Sequence, residues 1–380
     1  MRNKKIHIVS FAIPYPPNYG GVIDVFYKIK ALKEAGYSII LHCFKYDERQ
    51  PSEVLNQYCL EVNYYARQTH WKNAIGTTPY IMSSRHNKTL INRLIKDDYP
   101  IILEGLHTAS IANEKSLKNR KIAIRMHNIE WDYYAHLATQ ENNWFKKLYF
   151  KIESLRLKQA QSILSKVDKV FTIAPKEQEE LVKLYDNCTY LPAFHSNTLV
   201  SIKDGIGDYI LYHGNLTVPE NRAALDFIIY EIVVQQKLTE KLVIAGNGEE
   251  RHIKKYKALN LPNVTFKLKP SAQEMKDLIS NAQINLLVTF QNTGIKLKLL
   301  NALFNGRHVI VNPQMVEATG LEPICTIVSQ TNRFKKEIEQ LMDIEVGGTQ
   351  KLTRKKYLNK KFSNAASAAI ISEWLNPPLP

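Results

Sequence analysis

Two loops in this 380-residue chain carry residue types whose spacing suits an anionic ligand. In Pro14–Gly21 the pair Gly20 and Gly21 directly precedes a helical pattern. Glycine lets a backbone approach a ligand closely, and a helix start offers free N–H groups to an anion. The competing reading is a tight turn with no ligand. In QNTGIKLKLLNALFNG, Asn292 or Thr293 would cap a helix whose apolar face is Ile295, Leu299, Leu300, Leu303 and Phe304. Lys296 and Lys298 then fall near its first turn, where each cation opposes the helix dipole by roughly 0.3–1 kcal/mol. A phosphate at that end would offset the cost, with Lys298 the sharper candidate; otherwise both lysines simply reach solvent. His107, just past IILEG, and His127, ending IAIRMHN, stand where a parallel sheet places reactive groups. A lone histidine is more often structural than catalytic.

Those sites need a scaffold, and the pattern supplies one. Strand-like Lys5–Ile13 leads into a helix with Val25, Phe26, Ile29 and Leu32 in register, stopped by Gly36, and then strand Ser38–Phe44. The alternation continues through 101–104, 122–126, a long basic helix at 144–166, 169–174 and a Pro-started helix at 175–185. After a loop-like stretch at 193–208 it restarts, with strands at 209–214, 241–246, 264–268, 284–288, 308–312 and 324–328 and helices from Pro219, from Glu249, and near 272–280, 294–305 and 332–342. Strands alternating with helices imply an α/β class with parallel sheets. The expected organisation is a doubly wound domain at 1–195, a second at 196–360 facing it across a cleft, and a terminal helix within 361–380 that docks back on the first.

Other chemistry is excluded by motif. Ala245-Gly246-Asn247-Gly248 follows a strand, but Arg251 replaces the third glycine of GxGxxG. There is no P-loop, GxSxG or HExxH, and no two aspartates lie two apart, so neither a metal nor a resident cofactor is expected. The four cysteines are widely separated, which points to a reducing, cytoplasmic setting. No apolar run nears the roughly 20 residues that span a bilayer, and the chain starts directly in a strand. Lys and Arg total 51 against 36 Asp and Glu, a formal charge of +15 that favours an anionic partner. Nucleic acid is the weaker choice, because the basic residues are spread along the chain without an RNA- or DNA-binding motif. The segment 144–158, WFKKLYFKIESLRLK, is aromatic and basic at helical spacing. It suits either an anionic membrane surface, with the protein peripheral to it, or a core-facing helix with a solvated basic side.

Together these stretches resemble a GT-B glycosyltransferase similar to family 4, over nearly the whole chain. PYPPNYGG, LEGLHTASIA, RMHNIEWDYY, HGNLTVPENRAALDFI, LVIAGNGEE and TGIKLKLLNALFNGRHVIVNPQMVEATGL follow in the family's order, the last being the most specific. The resemblance implies two Rossmann-like halves. The second half would bind chiefly a nucleotide-sugar and the first an acceptor, a saccharide or lipid-linked saccharide of surface glycan assembly. It implies retaining transfer without a metal, in which the departing phosphate takes the acceptor's proton. His107 would then contact the transferred sugar and Lys298 the diphosphate. Gly20, Gly21, Asn215, Arg222, Gly246, Thr293, Gly294, Ile295, Asn301 and Glu317 would line the donor, and Asn18, Tyr19 and His127 the acceptor. Two features depart from the family pattern. Its paired glutamates, eight positions apart, correspond to Thr293 and Asn301, and its Arg and Lys after the first strand of the second half correspond to Asn215 and, nearby, only Arg222. A non-catalytic relative that binds nucleotide or glycan, a nucleotide-sugar epimerase and a phosphorylase are the alternatives on the same fold.

Overall fold

The computed structural model describes residues 4–46, 48–70, 76–290, 296–317 and 319–377. The chain divides into two compact units, Met1–Ser196 with Phe362–Pro380, and Asn197–Lys361.

The first unit is built on seven strands: β1 (Lys4–Ser10), β2 (Tyr37–Lys45), β3 (Glu61–Ala66), β4 (Ile101–Glu104), β5 (Ile122–Arg125), β6 (Lys169–Thr172) and β7 (Cys188–Tyr190). They lie in the order β3-β2-β1-β4-β5-β6-β7, every pair parallel. IILE and IAIR are buried at every position, as expected of a sheet covered on both faces. The helix Gly20–Glu34 buries Val22, Val25, Phe26, Ile29 and Leu32, and Gly36, at φ +86°, ends it. The helix Asn364–Leu375 returns to this unit: Ala368 and Ile371 join the same apolar core, and Trp374 meets Phe171 edge-on at 5.8 Å. Strands β3 and β7 escape the sequence pattern. Both are edge strands; β3 is mostly half-buried and β7 is three residues long, so neither shows a sustained apolar run.

The second unit has six strands: β8 (Ile210–His213), β9 (Leu242–Gly246), β10 (Val264–Leu268), β11 (Ile284–Leu287), β12 (His308–Val311) and β13 (Thr326–Ile327). Their order is β10-β9-β8-β11-β12-β13, again parallel throughout. The expected strand 324–328 shrinks to two residues because Glu322–Ile324 turns as a short 3₁₀ helix. The helix expected at 294–305 runs Leu297–Asn305, with Lys296 rather than Asn292 or Thr293 in the capping position. Those two residues lie outside the described ones. The basic helix ends at Ala160 and continues to Lys166 as 3₁₀ turns, and it buries Glu153, Ser154 and Leu157 rather than its aromatic residues.

In each sheet the strand order reverses at one point, between β1 and β4 and between β8 and β11, and loops after those strands are where an open parallel sheet binds ligands.

A buried polar chain crosses β1 and β2. Asp97 Oδ1 meets His7 Nε2 at 2.8 Å, His7 Nδ1 meets His42 Nε2 at 2.9 Å, and His42 Nδ1 meets the Tyr65 hydroxyl at 2.9 Å. Burial, then the His7 ring, pushes His42 down to about 3; burial also lowers His7, against the pull of Asp97. The His42 ring therefore stays neutral in the folded state at pH values where it is mostly protonated once unfolded. The unfolded chain binds more protons, so the contribution is present above about pH 6.5 and is lost progressively as pH falls from there toward about 3. Between pH 7.5 and pH 5, urea unfolding of the wild type is expected to lose about 2 kcal/mol more than that of a His42→Gln variant. Equal losses would show that the pair does not titrate this way.

Candidate functional site

In the second unit the site is assembled at the start of Leu297–Asn305. That helix is fixed by Leu299, Leu300, Leu303 and Phe304, all buried, which leaves Lys298 on the second helical position pointing away from the core residues. Lys298 does not run out to solvent. Its Nζ donates to Asn221 Oδ1 at 3.0 Å and sits 5.5 Å from the centre of the Tyr212 ring. Both partners are uncharged, so water has been removed from the ammonium without a counter-ion taking its place. Burial, with the Lys296 charge adding to it, pushes Lys298 down to about 8. Lys296 is likewise pushed to about 8 by burial, against the attraction of Glu220. At the end of β8, His213 is pushed to about 3 by burial and then by Lys298, and its buried Nε2 has no hydrogen-bond partner.

The loop after β8 is shaped by its neighbours. A Cβ on Gly246 would lie 1.7 Å from the Gly214 carbonyl oxygen, so β9 can pass β8 here only as glycine. Asn215 Oδ1 accepts from the Thr217 backbone N–H and hydroxyl, at 3.1 and 2.8 Å, closing an Asx turn. Arg222 donates to the Leu216 and Thr217 carbonyls at 3.1 and 2.7 Å, so its guanidinium braces this loop. Asn301 lies just under one turn beyond Lys298, and its Oδ1 accepts from Asn197 Nδ2 at 2.8 Å. Glu317 is exposed at the end of the short helix Pro313–Val316. Thr293, Gly294 and Ile295 lie outside the described residues.

In the first unit Gly20 and Gly21 open the helix Gly20–Glu34, and they differ. A Cβ on Gly21 would come 2.6 Å from Phe11 Cζ, while Gly20 has open space around it. The approach to this helix is held by Arg49, which donates to the Ile13 and Pro16 carbonyls and to Asn18 Oδ1, and stacks 4.9 Å from the Tyr19 ring centre. Phe11 also carries the two histidines: His107 packs on it at 5.1 Å between centroids and His127 edge-on at 5.3 Å. His107 is reached through Gly105, whose φ of +68° suits glycine and whose added Cβ would strike His107 Nδ1 at 2.8 Å. Burial lowers His107 well below its usual range. Glu130, 3.9 Å from its Nδ1, is pushed up to about 7 by burial, against the Arg85 charge. The Nδ1 atoms of both His107 and His127 are buried without a hydrogen-bond partner.

His127 is anchored by a cluster with no counterpart among the sequence candidates. Its Nε2 meets Glu104 Oε2 at 2.9 Å; Lys28 Nζ donates to both Glu104 oxygens at 2.7 and 2.9 Å and to Asp24 at 3.0 Å; Arg125 donates to both Asp24 oxygens at 3.1 and 2.9 Å. Asp24, Lys28, Glu104 and Arg125 are fully buried, two anions against two cations. Burial would raise both carboxylates, but Arg125 and Lys28 hold Asp24 below its ordinary range, and Lys28 and His127 do so for Glu104. Asp24, Glu104 and His127 offer ligand atoms within 4.8 Å of one another, a spacing that would suit a cation. Lys28 already bridges the two carboxylates, so a metal would have to displace it. The available signal was a charged residue ending or interrupting an apolar element: Glu104 in IILE, Arg125 in IAIR, and Asp24 with Lys28 one turn apart among Val22, Val25 and Ile29.

Residues 207–343 match a family described as "Glycosyl transferases group 1". The chain is 27% identical over 330 residues to an "Uncharacterized 44.6 kDa protein in cps region" of Klebsiella pneumoniae, covering 83% of this chain and 84% of that protein. Its fold is similar to that of a sucrose-phosphate synthase from Thermosynechococcus elongatus (TM-score 0.69, 15% identity, 98% of each chain). It is also similar to Anabaena Alr3699/HepE, solved with UDP and glucose (TM-score 0.66, 10% identity, 98% of this chain and 99% of that one). The two parallel α/β sheets have the GT-B architecture.

Replacing Lys28 with Met removes one cation from the set and strands one buried carboxylate, Glu104, while Asp24 keeps Arg125. The variant is expected to lose about 3–5 kcal/mol of unfolding free energy, a loss relieved in part by adding Glu104→Gln. A change under about 1 kcal/mol in chemical denaturation would contradict the ion cluster as drawn.

Proposed function

With a glycosyl transferases group 1 match over 207–343 and the GT-B fold as premises, we propose that the chain is a retaining glycosyltransferase. It would move a hexose from a nucleotide-sugar to a saccharide or lipid-linked saccharide in polysaccharide assembly. The observation that carries this reading is Lys298: a desolvated ammonium that, among the described residues, faces an amide oxygen and an aromatic ring at the start of a helix. A diphosphate supplies the counter-charge that the folded protein leaves out, and the free N–H groups of the helix start add to it. Negative charge grows on the leaving phosphate as the sugar bond breaks, so Lys298 stabilises the transition state more than the bound donor.

Retention follows if the acceptor hydroxyl attacks on the face the phosphate leaves and gives that phosphate its proton. The protein then supplies position and charge rather than a strong base. His107, kept neutral by burial, and His127, held by Glu104, follow β4 and β5 and would position the sugars there. Gly20, with no neighbour within 4 Å, leaves room for a ligand at the other helix start. Asn215 and Arg222 act on the donor indirectly, by holding the loop after β8. No metal enters this scheme. The cps-region relative supports the placement in polysaccharide assembly.

A panel of nucleoside diphosphates is expected to raise the melting temperature with one base preferred. At a hundred times Kd the gain is about 2.7 kcal/mol, and Lys298→Ala should abolish most of it. An undiminished shift in that variant would take Lys298 out of the site. With the preferred nucleotide-sugar, NMR of the transfer product should show the donor's anomeric configuration; an inverted product would refute retention, and an isomerised donor without transfer would favour the epimerase.

A further inference from the structure

The helix Trp144–Ala160 has an outer face that no described residue of its own unit covers. Trp144, Leu148, Ile152 and Leu155 recur at i, i+4, i+8 and i+11, with Phe145 beside them, and at about 100° per residue they share one arc of the helix. Trp144, Phe145 and Leu155 are 62%, 65% and 68% exposed. Large apolar side chains standing this far out in a contiguous row call for a partner. Lys147, Lys151 and Lys158 recur at the same spacing along one edge of that arc, all exposed, and Lys146 is exposed on the same helix. The helix has a single acidic residue, Glu153, and it is buried, bonded to the Tyr80 N–H and to Arg156 at 2.8 Å each. The outer face is therefore apolar with a purely cationic border.

We infer that this face docks on an anionic lipid bilayer, with the aromatic and aliphatic row in the headgroup boundary and the lysine row on the lipid phosphates. Among the described residues no helix is long and apolar enough to cross a membrane, so the attachment is peripheral. The charge pattern selects lipid over a second copy of the chain, because pairing two such faces would bring like-charged lysine rows together, whereas an anionic surface complements both components at once. The helix is held by its opposite side, through Leu157, Ser154 and the Glu153 contacts, so docking requires no rearrangement of the fold. This inference does not depend on sugar transfer, although a lipid-linked acceptor would be delivered at such a surface.

The test is co-sedimentation of the full chain with vesicles of phosphatidylcholine alone or with about a third phosphatidylglycerol, at low and at high salt. Binding is expected to the anionic vesicles, weakening with salt. Trp144→Ser/Phe145→Ser/Leu155→Ser should lose it by about tenfold or more with an unchanged melting temperature, since all three side chains are exposed. Lys147→Glu/Lys151→Glu should lose it by about tenfold at low salt. Lys298→Ala should bind vesicles as the wild type does, which separates this result from the nucleotide measurement. The inference is overturned if the wild type ignores anionic vesicles at low salt, if the serine variant binds undiminished, if neutral vesicles bind equally well, or if size-exclusion shows the face consumed in a dimer that the serine variant breaks.

Discussion

A positive charge held out of water beside neutral groups is the constraint on which the second unit's chemistry depends. Desolvating an ammonium is expensive, and proteins ordinarily place a carboxylate against it. At Lys298 the partners are an asparagine oxygen and a tyrosine ring, and the neighbouring cation makes the cost greater. The surrounding contacts hold this arrangement in place: Asn221 is fixed by its bond to the Asn215 carbonyl, Arg222 braces the same loop, and Gly246 lets β9 pass close to Gly214. Structure of this kind around an unneutralised cation is what an anion-binding site requires before its ligand arrives.

The first unit solves the opposite problem. The buried charges Asp24, Lys28, Glu104 and Arg125 are paired with one another, and the pairing ties the helix Gly20–Glu34 to the ends of β4 and β5. The result is rigidity under His107 and His127, whose buried Nδ1 atoms have no hydrogen-bond partner among the described residues while their rings share Phe11. Histidine rings on a fixed base suit hydroxyl recognition, and a desolvated ammonium at a helix start suits phosphate; the two units thus present different chemistry from the same topology.

Much of the architecture was legible because buried parallel strands read as short apolar runs between helical patterns, and IILE, IAIR, ILYH and LVIAG each lie where that rule puts them. Lys298 was legible as a cation placed against a helix dipole, but its partners were not, since Asn221 lies 77 residues away. Distance in sequence hid the ion cluster in the same way: Asp24 and Arg125 are 101 residues apart. Asn301, placed along the donor by resemblance, has its amide oxygen on Asn197. The basic helix was legible as amphipathic, yet which face turns inward was decided by Glu153, a buried acid that periodicity alone would assign to solvent.

The central claim concerns the charge state of Lys298, and proton uptake on binding reads it directly. Burial pushes it down to about 8, and Lys296 beside it likewise, so near that pH a bound diphosphate is expected to draw protons onto both, while the diphosphate itself is already fully ionised. Calorimetric titration of the preferred nucleoside diphosphate in buffers of different ionisation enthalpy near pH 8 should show a net uptake of about half a proton or more, reduced by about half in Lys298→Ala, where Lys296 alone remains. Binding of the same strength with no proton taken up would mean that the phosphate charge is met elsewhere, and the account of this site would fail.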